Sequence, residues 1–141
     1  VNSTLASLEV YNTKYHEALF LDYQGNVAEG PGENIFIVKN KTLFTPPAGT
    51  ILMGITRDTV LRIAKARGIH VEEKALALED VYHADEAFFT GTAAEVTPIQ
   101  SLDDNVIGMG ALGPVTALIK NAFHDITRGK DTEFEGFLTY V

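Results

Sequence analysis

Glu29-Gly30-Pro31-Gly32-Glu33-Asn34-Ile35-Phe36 sets two carboxylates among three backbone breakers, directly ahead of an apolar run. Gly30 and Gly32 reach backbone angles that other residues resist, and Pro31 between them fixes its own. A loop so constrained has a defined shape and aims Glu29 and Glu33. Read alone, a solvated turn between two strands is the commoner use of such a loop; the segments further along decide between the two.

Working outward, residues 18–22 read as a strand, 24–26 as a turn and 34–38 as a second, more buried strand, so that a hairpin carries the Glu29 loop. Lys39-Asn40-Lys41 turns the chain again, and Thr42–Thr45 is a short strand ended by Pro46-Pro47, which cannot donate ladder hydrogen bonds. Three antiparallel strands in succession predict an α+β fold. Ahead of them, residues 4–15 read as a helix capped by Ser3 or Thr4, with Leu5, Leu8, Asn12 and Tyr15 on one face. Beyond them, Gly54-Ile55-Thr56-Arg57-Asp58 opens a helix whose Val60, Ile63 and Ala64 share one face and whose end is Gly68. Thr56 is the natural N-cap there. A flexible glycine just before it leaves the first backbone N–H groups open, the physical requirement of a phosphate site, although an ordinary capped helix is the commoner case.

Residues 69–75 read as a strand, 78–83 as a short helix, and 86–90 as a buried strand running into Gly91-Thr92-Ala93-Ala94-Glu95. A turn of small residues lets backbone N–H groups approach an anion, with a hydroxyl added at Thr92; a tight structural turn is the alternative. Gly113-Pro114 starts the last helix, with Val115, Leu118, Ile119, Ala122 and Ile126 on its stripe and Gly129 at its end. Phe123 and His124 carry only packing and surface readings.

A chain of 141 residues, 45% apolar, builds one domain with a real core. A net charge of -8 and a pI near 4.8 argue against a nucleic-acid partner, because the few Lys and Arg are scattered. The absence of cysteine removes disulfides, thiolate catalysis and Cys-ligated metals, and the N-terminal residues lack the pattern of a signal peptide. No apolar run has the length to span a bilayer. A cytoplasmic protein is the expectation. His16, His70, His83 and His124 lack metal-ligand spacing, no Gly-x-Ser-x-Gly elbow is present, and the lysines lie among polar neighbours, so neither a metal site nor a nucleophilic serine or lysine is expected. Gly108-Met109-Gly110-Ala111-Leu112-Gly113 matches a dinucleotide fingerprint, yet the stretch 102–107 ahead of it is too polar for a central parallel strand. It reads as a glycine-rich approach to the final helix.

Glu29 with Asn34-Ile35-Phe36, then Leu43-Phe44-Thr45 and Leu52-Met53-Gly54-Ile55-Thr56-Arg57, then Gly91 to Pro98 and Gly113-Pro114-Val115-Thr116, taken together, resemble the fold-type IV pyridoxal-phosphate enzymes, and within them the branched-chain amino-acid aminotransferases. The resemblance implies a large pseudo-barrel domain spanning residues 1–141 and a pyridoxal 5'-phosphate cofactor. Glu29 would be the carboxylate that keeps the pyridine nitrogen protonated. Backbone N–H groups of Ile55 and Thr56 and the Thr92 hydroxyl would hold the phosphate, Leu52 would pack on the ring, and N–H groups of Thr92 and Ala93 would take the substrate carboxylate. Pro31 departs from the small residue usual in relatives and stiffens the loop without removing Glu29. In relatives the Schiff-base lysine lies a few residues ahead of the point matching Val1, and a smaller N-terminal domain supplies further groups. The expectation is therefore the cofactor-binding domain of a longer homodimeric or higher homo-oligomeric enzyme, inactive as this piece alone, that moves an amino group between branched-chain amino acids and 2-oxoglutarate. D-amino-acid aminotransferases and aminodeoxychorismate lyases share the same machinery, and a non-catalytic binding domain is the reading from a different class.

Overall fold

The computed structural model describes residues 2–49 and 51–137. Its centre is the run Glu33–Lys39 (β2), whose middle residues are all buried. Phe36 and Val38 point to one face of the sheet, Ile35 and Ile37 to the other, and each face has its own apolar cluster. A strand covered on both sides needs a continuous apolar run, which explains why residues 35–38 do not alternate with polar ones.

The other elements are laid around β2. Glu29–Gly30 (β1) pairs with its start, Thr42–Thr45 (β3) with its end, and Glu86–Gly91 (β5) runs antiparallel along most of it. Phe36 and Phe88 face each other across that last pair with ring centroids 5.1 Å apart and planes 7° from parallel. Glu95–Pro98 (β6) adds to the far side of β5. Val71–Glu73 (β4) joins β3 in parallel, after a crossover through the helix Ile55–Ala66 (α2). The predicted α+β class holds, and the parallel pair makes the sheet mixed, in the order β4-β3-β2-β5-β6.

Helices α2 and Pro114–Thr127 (α4) cover one face through Val60, Ile63, Ile119 and Ile126. Leu78–Tyr82 (α3) and the irregular segment through Val27 cover the other. Gly68 and Gly129, at φ +72 and +68, end α2 and α4 as expected. Glu86 fixes the start of α4: its buried carboxylate accepts the backbone N–H groups of Thr116 at 2.8 Å and Val115 at 3.2 Å. A Cβ at Gly113 would collide with that carboxylate, so the glycine there is a packing requirement.

Several expected elements are corrected. The N-terminal helix (α1) spans Asn2–Tyr11, ending four residues early, and its expected face is exposed at Leu5 and Leu8; the side chain of Ser3 lies outside the described residues. The segment 18–22 is not a strand. It contributes an isolated bridge from Leu21 to Val27 and bonds between Phe20 and the backbone of Ala28 and Glu29. β4 is only three residues of the expected 69–75. Leu118 is exposed on α4, while Phe123 is buried in its place. As expected, the segment before the glycine run is not a parallel strand; it folds as a two-stranded hairpin, Ser101–Leu102 (β7) with Asn105–Val106 (β8). Gly108 itself lies against the Asp85 carbonyl, where no Cβ fits. No described helix is long and apolar enough to cross a membrane.

Candidate functional site

The β1–β2 hairpin closes through Pro31 and Gly32, the latter at φ +74, with Gly30 and Glu33 paired across it. Proline followed by a glycine at positive φ is the residue pattern of a type II turn, so Pro31 suits this position. In register, Glu29 lies opposite Asn34, and cross-strand partners share a face. Both side chains grip one residue. Glu29 Oε2 accepts the Leu52 backbone N–H at 3.1 Å, and Asn34 Nδ2 donates to the Leu52 carbonyl at 2.8 Å. With its backbone held on both sides, Leu52 leaves its side chain 75% exposed. Gly54 completes the fit, since a Cβ there would lie 2.5 Å from Asn34 Oδ1.

At the next residue, Ile55, α2 begins. Its N-cap is Gly54 rather than Thr56, and no side chain caps it among the described residues. Thr56 is inside the first turn and 7% exposed, while the Ile55 side chain is 85% exposed. The first N–H groups of α2 are thus left open beside the residue that Glu29 and Asn34 hold, a geometry suited to an anion.

Arg57, in the same turn, is 1% exposed. Its Nη2 donates to the Pro46 carbonyl at 3.1 Å and to Glu73 on β4, and Nη1 lies 3.7 Å from Met53 Sδ. The sequence motif includes Arg57 without giving it a role. The signal was its spacing: it stands three and seven residues ahead of the buried Val60 and Ala64, on the apolar stripe.

The third segment ends β5. Thr90 pairs in register with Asn34, and a Cβ on Gly91 would meet the Gly32 carbonyl at 3.0 Å and Glu33 Cγ at 3.3 Å. The corner Thr92-Ala93-Ala94 therefore sits directly on the Glu29 hairpin. Thr92 and Ala93 are exposed, and the Thr97 hydroxyl donates to the Ala94 carbonyl at 2.6 Å. Below the corner, Thr90 Oγ1 and Glu33 Oε2 are buried without a hydrogen-bond partner among the described residues. Burial, followed by the like charge of Glu17, pushes the Glu33 carboxyl above its usual range.

Glu29, the α2 mouth and the corner at residues 91–95 thus gather at one end of the sheet through Asn34, which touches the first two and is in register with the strand leading to the third. They form an open face there. Neither of two hollows elsewhere takes in Glu29, Thr56 or Thr92: one of about 200 Å³ is lined by Phe44, Lys74, Leu76 and His83, and the other lies beside Leu61 and His70.

Known proteins share this architecture and much of the sequence. The family model described as Amino-transferase class IV matches residues 1–102. A branched-chain-amino-acid aminotransferase of Pseudomonas aeruginosa is 49% identical over 141 residues, covering 100% of this chain and 46% of that protein. The Escherichia coli K12 branched-chain-amino-acid aminotransferase is 44% identical over 142 residues, with 100% and 46% covered. Among solved structures, the branched-chain amino acid aminotransferase from Thermobaculum terrenum in its PLP-form superposes with a TM-score of 0.94 at 42% identity, over 98% of this chain and 46% of that one. The chain spans about half the length of the curated relatives it matches, at 46% of each.

Proposed function

The chain belongs to the class IV amino-transferase family, and from that premise we propose that residues 1–141 are the large cofactor-holding domain of a longer enzyme that moves an amino group reversibly between a branched-chain amino acid and 2-oxoglutarate. The lysine that bonds the cofactor would then lie ahead of Val1. The proposed cofactor is pyridoxal 5'-phosphate, which when bound supplies an electron sink for charge released at the substrate α-carbon.

The residues present fit that group. The observation that carries the reading is the double grip of Glu29 and Asn34 on Leu52, which ties a carboxylate to an open helix mouth. Anchoring Oε2 of Glu29 on the Leu52 N–H leaves Oε1 to hold a proton on a ring nitrogen. Ile55 and Thr56 N–H groups, in a turn that no side chain caps among the described residues, would take the phosphate with the Thr92 hydroxyl. The exposed Leu52 side chain would lie on the ring face and exclude water from it. Thr92 and Ala93 N–H groups, on a corner that Gly91 seats against the hairpin, would orient the substrate carboxylate. We infer a homo-oligomer acting in the cytoplasm on small amino and 2-oxo acids, with neither nucleic acid nor membrane as partner.

The test is a substrate panel on the full protein that carries these residues. L-Leucine, D-alanine and aminodeoxychorismate are each supplied with pyridoxal 5'-phosphate, the first two with 2-oxoglutarate as acceptor. Leucine is expected to react fastest. A preference for D-alanine, or for releasing product from aminodeoxychorismate, overturns the substrate class, and no turnover on any of them overturns the enzyme reading.

A further inference from the structure

Strands β5 and β6 are joined by three residues, Thr92-Ala93-Ala94, with Gly91 and Glu95 paired in register on either side. Loops of this length commonly close with a residue in the left-handed region at their C-terminal end, a position that glycine fills most readily. Here the residue is Glu95, at φ +54. A glutamate does not rest in that region unless its surroundings keep it there.

The side chain that approaches it comes from α4. Glu95 Oε2 lies 3.3 Å from Nε2 of His124, and Nδ1 of His124 lies 3.2 Å from Nη1 of Arg128. A guanidinium only donates, so Nδ1 of the neutral ring accepts, and the imidazole proton is left on Nε2, the nitrogen nearer Glu95. Arg128 therefore sets the tautomer of His124, whose Nε2 lies against the Glu95 carboxylate. The Thr97 hydroxyl on the Ala94 carbonyl fastens the neighbouring residue of the loop. The chain of contacts runs from one helical turn of α4 into the corner that carries Thr92 and Ala93.

We propose that His124 is a positioning residue for the substrate: by keeping Glu95 in its left-handed conformation it fixes the directions of the Thr92 and Ala93 N–H groups that take the substrate carboxylate. This deepens the function proposed above and rests on it. The pair is partly exposed, with side chains 32% and 48% accessible, so its effect on overall stability is small and its effect on the corner's conformation is what matters.

The experiment uses the full protein and compares His124→Phe, His124→Gln and His124→Phe combined with Glu95→Gly. His124→Phe is expected to raise KM for leucine about fivefold with kcat and cofactor affinity little changed, the pattern of lost ground-state binding. His124→Gln keeps an N–H for Glu95 and is expected to recover most of that loss. Glu95→Gly in the Phe background also recovers it, because glycine takes the left-handed angle unaided. Amide hydrogen exchange of residues 92–95, read by mass spectrometry, should quicken in His124→Phe and slow again in the other two. Unchanged KM and exchange in His124→Phe, or equal impairment in the Gln variant, overturns the proposal. If the wild type performs no amino transfer, the function fails, and the exchange comparison still decides whether His124 holds the corner.

Discussion

Glu29 reaches across 23 residues of sequence to accept the Leu52 backbone N–H at 3.1 Å. The bond makes the carboxylate part of the frame instead of a free side chain, because Asn34 beside it holds the carbonyl of the same residue. A group that is to act on a cofactor must be oriented before the cofactor arrives, and the bond to Leu52 would orient Glu29 for the role proposed above.

Glu29→Gln in the full protein keeps an oxygen for the Leu52 N–H and removes the charge. Turnover of leucine is expected to fall by about 100-fold or more, the scale of a lost electrostatic contact to developing charge, while the dissociation constant for pyridoxal 5'-phosphate changes by less than about tenfold. Steady-state kinetics alongside a cofactor titration checks this. Near-normal turnover removes Glu29 from the role.

Gly91 has no room for a side chain, since a Cβ would press on the Gly32 carbonyl at 3.0 Å, and backbone cannot swing aside as a flexible side chain can. Gly91→Ala is expected to cost about 1–3 kcal/mol in urea unfolding, the range for overpacking a fitted site, and to raise KM for the amino acid by shifting the corner. Gly32→Ala is strained for a different reason, its φ of +74, because nothing lies near its missing Cβ.

Glu33 links the site to pH. Its folded-state pKa is raised above 4.5 by burial and then by Glu17, so as pH climbs past that value the unfolded chain gives up its proton first. The folded state then binds more protons than the unfolded state, and this group's contribution to stability declines until pH passes the folded value. Glu33→Gln is expected to remove that decline and to unfold at higher urea than wild type at pH 7, with the difference vanishing below about pH 4, where both states of the wild type hold the proton. Urea midpoints across this range test it; a variant less stable than wild type at pH 7 contradicts it.

How far the sequence foretells this arrangement depends on how local each cause is. β2, β3, α2 and α4 were legible because an apolar run or stripe and its flanking Gly, Pro or turn residues lie in one window. The segment 18–22 has the apolar composition of a strand but makes only bridge contacts, and composition says nothing about whether a partner edge is free. Glu95–Pro98 was missed as a strand because its glutamate takes a left-handed angle, foreign to a strand, and its proline lies on an edge strand. Asn34 fills the space above Gly54, the residue that caps α2 in place of Thr56, and Glu86 caps α4 from 30 residues away. Such long-range polar contacts leave no periodic trace. Glu29, Leu52, Ile55, Thr56, Thr92 and Ala93 are proposed as a set through their resemblance to a family, and single motifs would not have gathered them.

Arg57 supplies the last prediction. Its guanidinium is buried in the first turn of α2, bonded to the Pro46 carbonyl and paired with Glu73 on β4, so it fastens the helix mouth to the sheet edge. Glu73 is itself 48% exposed, which places the pair at the boundary of the core. Glu73→Gln leaves a buried cation without its counter-charge, and unfolding in urea should register a loss of about 2 kcal/mol, below the roughly 3–5 kcal/mol of a fully buried pair because water still reaches one side. Arg57→Met removes the cation with the need for a partner, so the double variant should lose less than the sum of the two. If α2 is fastened this way, Glu73→Gln should also weaken inorganic phosphate binding at the turn of Ile55 and Thr56, although Glu73 lies on another strand. A cost within about 0.5 kcal/mol, the ordinary range for a surface change, would mean that the Pro46 carbonyl and the packing of α2 hold the mouth without the ion pair.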